Sequence, residues 1–126
     1  VYAQHVNSSG QIQWTNNGSL IVTAPELQKI PRLAVDPDGF LYIIWQDYRT
    51  GTHLDIYGQK LTPQGQRQWP TEGRLICGQN GDQSDQQLLL EWANGWYMVW
   101  VDNRSSFYAM SVFQLAEEIR ARMPRQ

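Results

Sequence analysis

The 126-residue sequence holds a single cysteine, Cys77, so neither an intrachain disulfide nor a cysteine-built zinc cluster can form. Val22, its counterpart in an internal repeat, is an apolar strand residue, so Cys77 reads as a small buried hydrophobe rather than a reactive thiol. His5 and His53 are the only histidines, and neither has a second ligand at metal spacing. Charge of one sign is also scarce. Ten Lys and Arg against twelve Asp and Glu leave a net charge of −2, without the concentrated basic face that nucleic acid requires and without a polybasic handle for anionic lipid. The longest apolar run, around Leu41 to Trp45, is too short for a membrane-spanning helix, so no membrane insertion is expected. No Gly-rich phosphate loop, Gly-x-Ser-x-Gly elbow or zinc pattern occurs, and no carboxylates are marked as an acid–base pair. These gaps point to a non-enzyme with no catalytic residue and no cofactor. The chain opens at Val1 with neither an initiator Met nor a signal peptide, which reads as a processed N-terminus or as a piece of something longer.

What the sequence does contain is a repeat with a period of about 55 residues, and short strands recurring near that length are the signature of a β-propeller blade. Tyr2, Gln4, Gly10, Trp14, Gly18, Leu20, Ile21, Gln28, Leu33, Tyr42, Trp45, Asp47 and Arg49 recur as Tyr57, Gln59, Gly65, Trp69, Gly73, Leu75, Ile76, Gln83, Leu88, Tyr97, Trp100, Asp102 and Arg104. No gap is needed in that register.

Alternation and turn residues divide the unit into four strands. Ile30 to Asp36 is the first, ended by Pro37-Asp38-Gly39, and Phe40 to Asp47 is the second, apolar on both faces at its centre. A strand apolar on both faces is expected between two neighbouring sheets. Leu54 to Leu61 is the third, closed by Thr62-Pro63-Gln64-Gly65. Gln66 to Trp69 is expected to start the fourth, with Leu75 to Cys77 extending or following it.

Residues 1–22 then carry third and fourth strands, 30–77 a full blade, and 85–112 three strands, with Phe107 to Val112 as the last. The chain thus holds about two blades over 1–113, cut mid-blade at both ends. Residues 114–126 form a helical tail: Leu115, Ile119 and Met123 share one helix face, and Glu118 and Arg122 make an i,i+4 pair. The fold class is therefore all-β, of propeller blades with four antiparallel strands each, with a short C-terminal helix that caps a sheet edge or meets a partner.

Tyr2-Ala3-Gln4, Gly10, Trp14, Asn17-Gly18, Ile21, Trp45-Gln46-Asp47-Tyr48-Arg49 and Asp55-Ile56-Tyr57 resemble a bacterial extracellular β-propeller repeat. The resemblance covers about residues 1–112. It is weaker in the second copy, where Asn103 stands for the tyrosine and Gln86 for the proline at Pro31. It implies a secreted or cell-surface bacterial protein, in line with a composition rich in Gln, Asn, Gly and Trp and poor in lysine.

The strongest local motif is Trp-x-Asp-x-Arg, at Trp45, Asp47 and Arg49 and again at Trp100, Asp102 and Arg104. Asp and Arg two apart at a strand end share one side of the pleat, so they can pair with each other or reach across to the next blade. Repetition in both units favours a structural staple over a polar-ligand site. Trp14, Trp69, Trp45 and Trp100 recur in register and read as core between blades. Trp92 and Trp96 have no counterparts, since Pro37 and Leu41 stand there, and this aromatic pair beside the turn Ala93-Asn94-Gly95 is a candidate ligand or partner contact. Asp36-Pro37-Asp38-Gly39 reads as a plain turn rather than a calcium loop, because further ligands are missing.

Propellers close with about four to eight blades, so a chain with about two needs either copies of itself, three chains making six blades, or the remaining blades of a longer chain. In a ring of copies, Val1 to Val6 and Phe107 to Val112 compete for one place. The first functional expectation is a non-catalytic extracellular scaffold or binding module acting through protein or assembly contacts. The alternatives are a lectin-like ring that binds glycans through Trp and the Asp–Arg pairs, and a fragment of a sialidase-like or lyase-like enzyme.

Overall fold

The computed structural model describes residues 1–91, 95–103 and 120–121. Among the described residues, eight strands form three antiparallel sheets, and the fold class is all-β. β1 (Tyr2–Ala3) pairs with β2 (Ser19–Leu20). β3 (Gln28–Val35), β4 (Leu41–Asp47), β5 (Asp55–Leu61) and β6 (Arg74–Cys77) make a four-stranded meander in that order. β7 (Gln83–Glu91) pairs with β8 (Gly95–Asp102). The expected strand Phe107 to Val112 lies outside the described residues. So does the expected C-terminal helix, except for Arg120 and Ala121, whose backbone is helical.

Strand pairing recurs at the sequence period. Tyr2 faces Leu20 and Ala3 faces Ser19; one period on, Tyr57 faces Leu75 and Gly58 faces Arg74. Leu33 pairs with Ile43 as Leu88 pairs with Met98, and Gln28 with Asp47 as Gln83 with Asp102. Both long hairpins carry a bulge at the same place, between Lys29 and Arg32 and between Ser84 and Gln87. Inside the bulges Ile30 (φ 52°) and Asp85 (φ 53°) sit in the left-handed region. A β-branched residue there is held against its own preference by the flanking pairs. The bulge also explains why the first strand of the meander begins before the sequence pattern does, at Gln28 rather than Ile30.

The hairpin turns reuse one device. Asp36 Oδ1 accepts from the backbone N–H groups of Asp38 and Phe40, both at 2.9 Å, and Gly39 closes the turn at φ 86°. Asn7 Oδ1 does the same for Ser9 and Gln11, and Thr62 Oγ1 for Gln64 and Gln66. These side chains mimic a backbone turn, so the Asp36 loop is a turn by construction.

The fourth strand differs from expectation. Arg74–Cys77 forms it, while Gln66 to Trp69 contributes only a bridge from Arg67 to Leu61. The buried Gln59 side chain explains this: its Oε1 accepts from the Trp69 N–H (2.9 Å) and its Nε2 donates to the Pro70 carbonyl (2.8 Å). A side chain replaces the ladder there, and Pro70 has no N–H to continue it. The first sheet repeats the arrangement through Gln4, Trp14 and Thr15.

The core lies on both sides of β4, and its alternation decides which residue goes where. Ile43 and Trp45 pack with Ile21, Val22, Ala24 and Leu61, the first two being the chain just after β2. Ile44 packs with Ile56 and Cys77, against which Leu88, Met98 and Trp100 lie. Cys77 is buried, as Val22 is. Each fully buried aliphatic side chain here is worth about 1.5–3 kcal/mol.

Candidate functional site

Trp45, Asp47 and Arg49 come together at the end of β4. Strand alternation puts Trp45 and Asp47 on one face, and the turn that follows folds the Arg49 guanidinium back over them. Asp47 is fully buried. Its Oδ1 accepts from the Arg49 backbone N–H (2.9 Å) and Nε (2.8 Å), and its Oδ2 from Trp45 Nε1 (2.8 Å) and Arg49 Nη2 (2.7 Å). The fork is bidentate. Arg49 Nη2 also donates to the Glu72 carbonyl at 2.8 Å, and the guanidinium lies 3.6 Å from the centre of the Tyr57 ring. The Glu72 carboxylate accepts from the Thr23 N–H and hydroxyl, both at 3.0 Å. The network therefore runs from the four-stranded sheet to the chain following β2.

Burial by itself would raise the Asp47 pKa, but the bonds from Arg49 and Trp45 outweigh it and hold the carboxyl below its ordinary value. Burial likewise opposes the Arg49 charge, and the Asp47 partner reverses that and raises the guanidinium. Four donors occupy the lone pairs of Asp47. A carboxylate so engaged has no free lone pair with which to take a substrate proton or ligate a metal. Of the two arrangements the spacing allowed, Asp47 and Arg49 pair with each other.

Opposite Asp47 in the next strand lies Asp55, also buried. His53 Nε2 stands 3.1 Å from its Oδ1, an ion-pair distance, yet Oδ1 receives no hydrogen bond. Burial raises the Asp55 pKa, and the neighbouring Asp47 charge adds to it against the pull of His53. His53 Nδ1 is 2.9 Å from Thr52 Oγ1. Among the described residues, no group of three or more His, Cys, Asp or Glu is gathered to hold a metal.

The second motif is described in part. Asp102 ends β8 opposite Gln83, and the Asn103 N–H donates to the Asp82 carbonyl at 2.8 Å, as the Tyr48 N–H does to Leu27. Arg104 and Trp92 lie outside the described residues. Trp96 stands in β8 opposite Leu90. Trp45 is fully buried, while Trp14, Trp69 and Trp100 are half-buried. Trp14 Nε1 bridges two sheets by donating to the Pro63 carbonyl at 3.1 Å.

Sequence reasoning missed Tyr57, Glu72 and Thr23 as members of the Asp–Arg network. Tyr57 left a signal, since it recurs as Tyr2; Glu72 left none, because its counterpart is Asn17. It also missed an open groove of about 860 Å³ between β1 and the β3–β4 hairpin, lined by Tyr2, Ala3, Pro31, Leu33, Val35 and Ile43 among others. Its walls are mainly apolar. No family model, curated protein or solved structure matches this chain.

Proposed function

We propose that this chain is a non-catalytic extracellular β-propeller scaffold or binding module that acts through protein or assembly contacts, each repeat unit being one blade. The observation that carries the reading is the β3–β6 meander with a further sheet on each face: Ile43 and Trp45 meet Ile21 and Val22 on one side, and Ile44 and Ile56 meet Leu88 and Met98 on the other. One four-stranded meander packed between two two-stranded sheets, with pairing that recurs once per sequence period, supports a reading as stacked blades. The saturated Asp47 carboxylate supports a staple between blades in preference to a ligand-binding acid. Secretion and surface location follow from the bacterial repeat resemblance alone.

A glycan array probed with the wild-type chain and with Trp96→Ala tests the choice between scaffold and lectin. The scaffold reading expects no glycan-dependent signal from either protein. A signal present in the wild type and lost in a folded Trp96→Ala chain would overturn it in favour of the lectin-like ring.

A further inference from the structure

Two links at equivalent places in the repeat differ in their chemistry. The link between β2 and β3 holds Pro25 and Glu26, and the link between β6 and β7, one period on, holds Asn80 and Gly81 at those positions. Their local geometry matches. Gln28 Nε2 donates to the Pro25 carbonyl at 3.0 Å, and Gln83 Nε2 donates to the Gly81 carbonyl at 3.2 Å. Both links pass through the left-handed region, at Glu26 (φ 63°) and at Gly81 (φ 96°). Glu26 bears a steric cost there that Gly81 avoids. The same glycine creates, with Asn80, a reactive pair that Pro25-Glu26 cannot form.

In an Asn-Gly pair the glycine nitrogen can approach the side-chain amide carbon of the asparagine, because no Cβ on the glycine obstructs it. A hydrogen bond from that N–H, or close packing around it, withholds the nitrogen. The sequence has three such pairs, Asn17-Gly18, Asn80-Gly81 and Asn94-Gly95, and Asn94 lies outside the described residues. The structure separates the other two. The Gly18 N–H donates to the Thr15 carbonyl at 3.1 Å, and a Cβ on Gly18 would stand 3.1 Å from the Ala3 carbonyl oxygen. Asn17 is itself fixed in that turn at φ 68°. Among the described residues, by contrast, the Gly81 N–H meets no acceptor and the exposed Asn80 side chain meets no partner.

We propose that Asn80 is a site of spontaneous deamidation, and that its conversion loosens the β7–β8 hairpin from the meander. The Gly81 nitrogen bonds to Asn80 Cγ and gives up its proton, the Cγ–Nδ2 bond breaks, and ammonia leaves. Water then opens the cyclic imide. Cleavage between the nitrogen and Cγ yields aspartate. Cleavage between the nitrogen and the backbone carbonyl carbon of Asn80 yields isoaspartate, whose main chain runs through the side chain and is longer by a methylene. The residues that follow tie the hairpin to the start of β5. Asp82 Oδ1 accepts from the Leu54 N–H (2.8 Å), the Asp82 carbonyl from the Asn103 N–H (2.8 Å), and the Leu54 carbonyl from the Gln83 N–H (2.9 Å). A main chain lengthened just ahead of Asp82 moves these groups out of line.

The test is incubation of the full chain at mildly alkaline pH, native and in concentrated urea, followed by tryptic peptide mapping with isoaspartate detection. Lys29 and Arg74 lie between Asn17 and Asn80, so the two fall in different peptides. In the native chain Asn80 should convert at least about fivefold faster than Asn17, the factor equivalent to the net worth of the hydrogen bond that Gly18 must give up. In urea the two rates should converge, because the pairs are then chemically alike. An Asn17 that keeps pace with Asn80 in the native chain, or an Asn80 that stays intact, overturns the site. The consequence is read by hydrogen exchange at Leu54, Gln83 and Asn103. Those amides should exchange faster in converted wild type than in fresh protein, and Asn80→Gln incubated alongside should show no change, since its longer side chain closes a ring far more slowly. Unchanged exchange in converted protein, or equal acceleration in Asn80→Gln, overturns the loosening.

Discussion

The two faces of the four-stranded sheet meet their neighbours by different means. On the Ile44 face contact is mainly apolar, from Ile44, Ile56 and Cys77 to Leu88, Met98 and Trp100, with one buried glutamine pair beside it. On the Trp45 face one part is apolar around Ile21 and Val22, the end of the strand is tied by the Asp47–Arg49–Glu72–Thr23 chain of bonds, and the part beside Leu33 is open groove. The strand is the same and the side chains alternate evenly. What differs is the neighbour. Burial of a strand residue is decided by what stands across from it, which is why Leu33 and Leu88 share a register and not an environment.

Removing the tie should show the largest effect. Arg49→Ala leaves the Asp47 carboxylate buried without its ion partner, and urea unfolding should report a loss of about 3–5 kcal/mol. A loss below about 1 kcal/mol, as for an exposed pair, would mean that this face is held by packing alone. On the apolar face, Ile44→Ala should cost about 3 kcal/mol through lost contacts and the cavity left behind.

The leucine pair sharpens the contrast. Leu88→Ala should cost about 2 kcal/mol, whereas Leu33→Ala measured in dilute solution should stay within about 0.5 kcal/mol. Equal losses would show that the groove is closed even in the isolated chain.

The smallest effect is a pH dependence. Asp47, with its folded-state pKa lowered, contributes stability that is present above the ordinary carboxylate value of 3.8 and lost as pH falls through the folded value. Asp55, with its pKa raised, has the opposite sign: its contribution is present below 3.8 and lost as pH rises through the folded value. Asp55→Asn should therefore be slightly more stable than the wild type at neutral pH, and the difference should vanish in acid. Thermal melts of both proteins across that range would reveal a wrong sign directly.

The expected strands were legible where local chemistry settles them. The Asp36 and Thr62 turns announce themselves because each side chain satisfies its own loop's N–H groups, and β4 announced a neighbour on each face by being apolar on both. Leu75 to Cys77 falls inside the fourth strand, and only its expected start at Gln66 differs, because a single buried side chain, Gln59, interrupts the ladder there and no pattern of periodicity records what a glutamine will bond to. The Asp–Arg pair was legible as a motif, and its mutual pairing was one of two outcomes that spacing allowed. Trp92, Arg104 and, apart from Arg120 and Ala121, the tail expected to be helical lie outside the described residues.

By itself, then, the sequence determined the repeat period, the turns and the strand alternation, all of which are written in the order of residues along the chain. Tertiary structure alone decided that Asp47 is saturated, that Glu72 links the meander to Thr23, and that Leu33 stands open while Leu88 is covered. Those outcomes depend on groups brought together across sheets, where burial and hydrogen-bond satisfaction are properties of the assembled neighbours and not of any segment.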